Sequence, residues 1–198
     1  MAQAAPSPFP VTIRGTLTES LNRWLFLVKW LLIIPHLVLL IFLFIGFVVS
    51  WLIAFFAVLF TGRYPRGLFD FNVGVLRWSW RVSFYSYEAL GTDRYPPFSL
   101  TKKDDYPADL DVIYPEKLSR WQVLVKWWLL AIPHYIVLDI LADLLTVLVL
   151  VAAVVNLFTG KYPKGIWDLV LGINWWTYRV AGYATLVTDN YPPFRFGE

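Results

Sequence analysis

The chain has 198 residues, of which 58% are hydrophobic, 19% aromatic and only 16% charged, and its formal net charge is +3. A soluble domain is about half apolar and about a quarter charged, so this composition argues against an ordinary soluble domain. The lack of cysteine excludes disulfides and thiolate metal sites, and without a long run of Lys and Arg we expect no nucleic acid as partner.

Each half of the chain begins with a short segment of alternating apolar and polar residues. The first is PVTIRGTL, residues 10–17, and the second is ADLDVIY, residues 108–114. Alternation with a period of two is typical of a strand. We therefore expect one short exposed strand ahead of each half.

A long apolar block follows each strand, at residues 24–60 in the first half and 121–158 in the second. About 20 apolar residues already span a bilayer, so both blocks are predicted to be membrane segments. As one straight helix, a block of about 37 residues would be about 55 Å long against a hydrocarbon core of about 30 Å. One solution is a kink at Pro35 or Pro133, with the earlier half of the helix at the interface and the later half spanning. The other is a hairpin of two short crossings.

Each block ends in nearly the same basic turn, FTGRYPRG at residues 60–67 and FTGKYPKG at residues 158–165. Glycine and proline break the helix there. Two turns of the same chemistry are expected on one side of the membrane, which requires an even number of crossings per half. A hairpin meets this requirement and is the arrangement that we favour. A single span that returns through residues 68–90 also meets it, and inverted repeats with one crossing each are the remaining alternative.

A segment rich in Trp and Tyr, 68–90 or 166–187, follows each turn and leads to Tyr-Pro-Pro-Phe. Aromatic belts mark the lipid–water boundary, so these segments are predicted to lie in the interface as amphipathic helices. The succession of motifs occurs twice, which divides the chain into membrane repeat 1 (1–98), a polar linker (99–111) and membrane repeat 2 (112–198). The expected fold is an all-α integral membrane protein with two tandem repeats and short extended segments.

The two turns carry four cations, Arg63, Arg66, Lys161 and Lys164. Our hypothesis is that they bind phosphate-bearing lipid headgroups, since each can add about 1 kcal/mol of attraction at an anionic leaflet. The plainer interpretation is that they only set the topology. By the positive-inside rule they place the polar elements on the cytoplasmic face of the cell membrane.

Two histidines and two aspartates inside the apolar blocks are further candidate site residues. His36 and His134 follow the two prolines, where they could satisfy a carbonyl that proline leaves free or form a shared metal or proton site. They have neither Cys nor an acidic neighbour in their motif, so no metal or other cofactor is expected. Asp139 and Asp143 lie one helical turn apart. They are expected at the watery tip of a hairpin or, alternatively, at a contact with a partner or an ion path.

Arginine and tryptophan occur side by side in the segments that follow the turns. Arg beside Trp favours cation–π contacts and anchoring at the membrane surface, so these residues are predicted to be interfacial anchors. The residues concerned are Arg77, Trp78, Trp80, Arg81, Trp175, Trp176 and Arg179.

The repeated motifs are Arg-Trp…Val-Lys-Trp, Ile-Pro-His, Phe-Thr-Gly-[Arg/Lys]-Tyr-Pro-[Arg/Lys]-Gly and Tyr-Pro-Pro-Phe. Together they resemble a family of uncharacterised bacterial integral membrane proteins, which is described only as a domain of unknown function and often occurs in tandem. The resemblance covers nearly the whole chain and implies no activity. No motif of a known enzyme class is present in the sequence.

We therefore expect a protein that is not an enzyme. It would be an accessory or scaffold subunit of a membrane complex, or a lipid-organising protein. Its expected partners are the lipid bilayer, anionic lipids included, and other membrane subunits. The alternative is a component of a channel or transporter for ions or protons.

Overall fold

A computed structural model describes residues 9–197, which fold into helices with one small sheet. Each half of this stretch contributes a strand, a short helix, a 28-residue helix and a helix of 20 or 21 residues. In chain order the elements are β1 (Val11–Gly15), α1 (Phe26–Leu32), α2 (Ile34–Thr61), α3 (Arg66–Tyr85), β2 (Ala108–Val112), α4 (Gln122–Val125), a π-helical turn (Lys126–Leu130), α5 (Ile132–Thr159) and α6 (Lys164–Ala184).

Each apolar block forms a kinked helix and not a hairpin. In repeat 1, α1 ends before Ile33, Pro35 occupies the first turn of α2, and the helix then runs without interruption to Thr61. α5 does the same after Pro133. Proline is tolerated in a first turn because its missing N–H would have no helical partner there. The predicted hairpin is therefore wrong, and the helix is interrupted just before its proline, as the other model has it. The division into an interfacial half and a spanning half stays a prediction.

Both long helices end at the glycine of the basic turn. Gly62 and Gly160 each have a φ of 71°, in the left-handed region that glycine adopts without steric cost. The next helix begins directly after the proline of the turn, at Arg66 in repeat 1 and at Lys164 in repeat 2. The turn thus ends one helix and starts another, as its glycine and proline predict.

Repeat 2 has one more residue than repeat 1 between its lysine and its histidine. Lys29 and His36 are seven positions apart, whereas Lys126 and His134 are eight positions apart. The π-helical turn Lys126–Leu130 absorbs the extra residue, because a π-helix bonds over five residues where an α-helix bonds over four. The lysine and the histidine of the two repeats consequently make equivalent contacts.

β1 and β2 form a two-stranded antiparallel sheet in which Ile13 pairs with Leu110. Both strands fall inside the segments predicted from the sequence, 10–17 and 108–114, but the prediction that they are exposed is wrong, because Val11, Ile13 and Leu110 are buried. Their pairing is not predictable from the alternation, and it joins the strand ahead of repeat 1 to the strand ahead of repeat 2. Because β2 lies mostly within the predicted linker 99–111, this stretch is more than a connection between the repeats.

α3 and α6 lie in the core of the protein. Trp78, Trp80, Trp175 and Trp176 are all buried. The ring of Trp80 packs edge-on against that of Tyr178, with 5.2 Å between the centroids. The prediction that the four tryptophans anchor a surface helix is wrong, because large aromatic side chains fill a protein core as well as they fill an interface.

The two repeats hold each other reciprocally. β1 packs on α6 of repeat 2, and β2 packs on α3 of repeat 1. Ile13 and Leu110 occupy equivalent positions and pair with each other, and the equivalent residues Trp80 and Tyr178 also contact each other. Such isologous contacts define an approximate two-fold axis that passes through the sheet and the α3–α6 contact.

The packing produces three layers. The polar layer consists of β1, β2 and the connection 99–107. The middle layer consists of α3 and α6. The apolar layer consists of α1, α2, α4, the π-helical turn and α5.

The apolar layer contains the two stretches that are long and apolar enough to cross a membrane, Ile34–Thr61 and Gln122–Thr159. Only 22% and 17% of their most apolar parts are buried, whereas the core helix of a soluble protein is mostly buried. Their large side chains instead face outward, with Phe42 at 67% and Phe158 at 76% exposure. The layer therefore presents a continuous apolar surface.

Candidate functional site

The basic turn of repeat 1 lies at the protein surface, where Arg63 and Arg66 are both exposed. Arg66 pairs with Asp70 one helical turn later, with 3.1 Å between Nε and the carboxylate. Its guanidinium also stacks 4.6 Å from the ring centroid of Tyr114. An exposed ion pair contributes only about 0–1 kcal/mol, so both guanidiniums stay available to an anion.

The turn of repeat 2 has the same construction with lysine in place of arginine. Lys161 and Lys164 are exposed, and Lys164 lies 3.3 Å from the carboxylate of Asp168. The two turns together present four accessible cations, which is what binding of lipid headgroups would require. The binding itself stays a prediction.

An arginine from the opposite repeat lies against each turn. Arg120 donates from Nη2 to the carbonyl of Thr61 at 3.4 Å, and the N–H of Leu118 donates to the carbonyl of Gly62 at 2.8 Å. In the other direction, a Cβ on Gly160 would lie 3.0 Å from Nη2 of Arg23. A cation near the last carbonyls of a helix is favourable, because that end carries partial negative charge.

A buried lysine of repeat 1 forms the centre of a second cluster. Lys29 is 1% exposed, and its Nζ donates to the carbonyl of Thr92 at 2.6 Å and lies 3.0 Å from the carboxylate of Asp93. The ammonium also faces the ring of Tyr85 at 4.5 Å. Burial lowers the pKa of Lys29, and the ion pair with Asp93 opposes that shift.

Repeat 2 reproduces this cluster. Nζ of Lys126 lies 2.9 Å from the carbonyl of Thr188, 2.6 Å from the carboxylate of Asp189 and 5.6 Å from the ring centroid of Tyr183. Neither the two lysines nor the two aspartates are among the site residues predicted from the sequence. The available signal was the repetition of Val-Lys-Trp and of Thr-Asp before Tyr-Pro-Pro-Phe, which retains a basic and an acidic residue in both repeats.

His36 and His134 each lie in an aromatic pocket of their own repeat. Nδ1 of His36 accepts a hydrogen bond from Nε1 of Trp78 at 3.0 Å, and its ring stacks 4.0 Å from Phe98. Nδ1 of His134 accepts from Nε1 of Trp176 at 3.0 Å. The histidines are thus parts of two separate pockets, and within residues 9–197 no contact joins them in a shared site.

One interpretation of the sequence predicts that the histidines bind the backbone carbonyls near the prolines. They do not. In repeat 1 the hydroxyl of Tyr95 donates to the carbonyl of Leu32 at 2.9 Å. In repeat 2 the hydroxyl of Tyr135 donates to the carbonyl of Trp127 at 2.7 Å. Tyrosine reaches these carbonyls, while the histidine ring binds the tryptophan of the middle layer.

The predicted interfacial arginines are structural residues of the core. Arg77 and Arg81 lie 3.3 Å and 3.0 Å from the carboxylate of Asp109 on β2, and Arg81 and Asp109 are both buried. Arg179 of α6 is also buried, and its guanidinium lies 4.8 Å from the ring centroid of Trp175. Anchoring at a membrane surface is wrong for side chains that the protein encloses. Arg77 and Arg81 join α3 of the middle layer to β2.

Asp139 and Asp143 lie on the outer face of α5, in the apolar layer, and both are exposed. They do not lie at a hairpin tip, because α5 runs without a break from Ile132 to Thr159. The two aspartates therefore do not lie next to the histidines. The two histidines do not lie next to each other either. Within the part of the chain that is described, no three His, Cys, Asp or Glu side chains are placed to hold a metal ion.

The comparisons with known proteins agree with the repeat. The family described as Domain of unknown function (DUF4389) matches residues 23–99 and again residues 120–195. Neither the curated proteins nor the solved structures give a match. The two matches together cover well over half of the chain, and each contains one of the two arginines, Arg23 and Arg120, that contact the opposite repeat. The chain therefore belongs to the DUF4389 family and carries its domain twice in tandem.

Proposed function

We propose that the protein is a non-catalytic integral membrane protein that acts as an accessory or scaffold component of a membrane complex and organises the lipids around it. The observation that carries this proposal is the outward-facing apolar layer. Side chains such as Phe42 and Phe158 would be costly to expose to water, at about 25 cal/mol per Å² of apolar surface. A bilayer removes that cost, and a patch of this extent is typical of a membrane contact.

The basic turns support a role for lipid headgroups. Arg63 and Lys161 are exposed where α2 and α5 end, so cations stand at the border of the apolar layer. Each cation adds about 1 kcal/mol of attraction to an anionic leaflet. By the positive-inside rule the polar layer and the turns face the cytoplasm, and the membrane is the cell membrane.

Asp139 and Asp143 support a contact with other membrane subunits. A carboxylate costs about 2.5–3.5 kcal/mol at the centre of a membrane, and two of them face outward from one apolar helix. A partner that supplies donors or cations would offset that cost. Conduction of ions or protons has less support, because these aspartates and the two buried histidines do not line a common path.

The experiment is purification of the full chain from native membranes. Resistance of the membrane-bound protein to alkaline carbonate tests whether the apolar layer is embedded. Crosslinking before mild solubilisation, followed by mass spectrometry, tests for stoichiometric partners and bound lipid. A protein that carbonate releases would contradict the membrane location. A protein that purifies alone and passes ions in liposomes would contradict the accessory role.

A further inference from the structure

Both ends of α2 are fastened to the polar side of the protein. At its beginning, His36 stacks on Phe98. Two residues further along the chain, the carbonyl of Leu100 accepts a hydrogen bond from Arg77 at 3.0 Å, and Arg77 also donates to the carbonyl of Leu110 in β2 at 2.7 Å. The first turn of α2 is therefore linked to β2 through Phe98, Leu100 and Arg77.

The other end of α2 is bound by the segment that follows β2. The hydroxyl of Tyr114, two residues beyond the end of β2, donates to the carbonyl of Tyr64 at 2.5 Å. The N–H of Leu118 donates to the carbonyl of Gly62 at 2.8 Å. The basic turn thus lies beside the segment that directly follows β2, so both ends of α2 are linked to the same strand.

The length of α2 makes this arrangement informative. With 28 residues it is about 42 Å long, longer than the hydrocarbon core of about 30 Å. An upright helix of that length would place its two ends on opposite sides of a bilayer. β2, to which both ends are connected, is only about 17 Å long. A helix with both ends at one sheet lies along that sheet and not perpendicular to it.

The two-fold relation extends the same geometry to repeat 2. At the beginning of α5, His134 stacks on Phe194 at 4.2 Å, as His36 does on Phe98. Rotation about the axis through Ile13 and Leu110 keeps equivalent residues at equal height along that axis. The turns at the ends of α2 and α5 are therefore at the same distance from the polar layer.

We infer that the apolar layer is embedded from one side, in a single leaflet, and that neither α2 nor α5 crosses the bilayer. This inference rests on the proposed membrane location. The occupant of the apolar face is the acyl chains of that leaflet, and the phosphate headgroups of the same leaflet lie around the exposed cations of the two turns. Amphipathic membrane-surface elements bury their apolar face in this manner without spanning.

The test uses the full-length cysteine-free chain, reconstituted in sealed liposomes that contain phosphatidylglycerol. Single cysteines replace Gly67 and Gly165, where an added side chain meets nothing within 4 Å, and the exposed Asp104 of the polar layer. In each orientation of the protein, all three should react with an impermeant maleimide from the same side. Reaction of Gly67→Cys or Gly165→Cys from the side opposite to Asp104→Cys would overturn the inference.

A second set of cysteines replaces outward-facing residues along α2, namely Ile34, Ile41 and Phe60. None of them should react from the side opposite to Asp104→Cys, and any that does would show a crossing. Alkaline carbonate distinguishes the two proposals. Retention in the membrane together with labelling from the far side would contradict only the one-sided embedding, whereas release by carbonate would contradict the membrane location as well.

Discussion

Arg23 of repeat 1 lies against Gly160 of repeat 2, so closely that a Cβ on that glycine would be 3.0 Å from Nη2 of the guanidinium. Arg120 of repeat 2 occupies the corresponding place beside Gly62 of repeat 1. The residue that opens each apolar block therefore stabilises the turn that closes the other block. The basic turn and the Arg-Trp motif are repeated for a common structural reason. The turn of each repeat contacts the arginine of the Arg-Trp motif in the other repeat.

We expect alanine at the two turn glycines to destabilise the protein. Gly62→Ala and Gly160→Ala place a Cβ on a residue with a φ of 71°, which costs about 1–2 kcal/mol for an L-residue. The new Cβ would also meet the carbonyl of Leu118 at 3.3 Å in one case and Arg23 at 3.0 Å in the other. Thermal unfolding in mild detergent should show the loss.

The matched controls are Gly67→Ala and Gly165→Ala in the same two motifs. At both positions an added Cβ meets nothing within 4 Å, and neither glycine has a positive φ. Both glycines lie in the first turn of a helix, where alanine is favoured over glycine. The unfolding midpoints of the two control variants should therefore stay the same or rise. If the unfolding midpoint fell equally in the turn variants and the controls, the left-handed conformation of Gly62 and Gly160 would not be the cause of the destabilisation.

The buried ion pair of repeat 1 should respond unequally to the loss of its two partners. Asp93→Asn leaves the ammonium of Lys29 buried without its counter-charge, and breaking a buried pair in this way costs about 3–5 kcal/mol. Lys29→Met leaves Asp93, which is 23% exposed and can be hydrated. Unfolding midpoints in detergent should therefore fall further for Asp93→Asn than for Lys29→Met.

The double variant Lys29→Met with Asp93→Asn is the control for that prediction. It removes both charges and should recover much of the stability that Asp93→Asn loses, because no unpaired charge then remains buried. The same series with Lys126 and Asp189 should give the same order in repeat 2. A double variant less stable than both single variants would contradict the explanation.

Loss of the turn cations should reduce the amount of bound anionic lipid. Changing Arg63, Arg66, Lys161 and Lys164 to Gln removes about 4 kcal/mol of attraction at an anionic surface, less the part that salt screens beyond about 8 Å. Insertion should continue, since the apolar layer is unchanged. Mass spectrometry of co-purified lipid measures the effect.

A pair of double variants with equal charge change tests whether the position of these cations matters. Arg63→Gln with Lys161→Gln removes two charges from the turns, and Lys102→Gln with Lys103→Gln removes two from the polar layer. Only the first pair should lower the anionic lipid content. An unchanged lipid complement with altered orientation would show that the turn cations act only on topology.

Neutral residues at the outer aspartates should disrupt contacts with membrane partners. Asp139→Asn with Asp143→Asn removes two outward-facing carboxylates from α5 without changing its length. We expect normal expression and a loss of the crosslinked partner, measured by mass spectrometry. Asp104→Asn with Asp105→Asn, on the exposed connection of the polar layer, is the control and should retain the partner. If both double variants retained the crosslinked partner, the carboxylates of α5 would have no role in binding it.

The periodic features of the sequence predict the local structure well. Alternation locates β1 and β2, proline locates the kinks, and glycine with proline locates the turns. These signals act within a few residues, where backbone sterics decide the conformation. They are also the features that the two repeats share most closely.

The contacts between distant segments could not be predicted in the same way. Lys29 and Asp93 are 64 positions apart, and neither motif indicates that the two residues form an ion pair. Trp80 and Trp176 could equally belong to a membrane interface, because an amphipathic aromatic ring suits both an interface and a core. Long-range contacts decide between the two: Nε1 of Trp80 donates to the carbonyl of Arg14 in β1, and Trp176 packs against His134 and Phe194.

The exchange of strands between the repeats has a consequence for the origin of the chain. A single unit with one strand, one arginine and one turn could not cover its own α3, since the covering strand and the arginine that holds the turn both come from the other unit. Two identical copies could supply each other with these parts in a symmetric homodimer. Gene duplication with fusion of such a dimer gives the present arrangement, and it frees each half to diverge, as with Asp139 and Asp143 in place of the isoleucines of repeat 1.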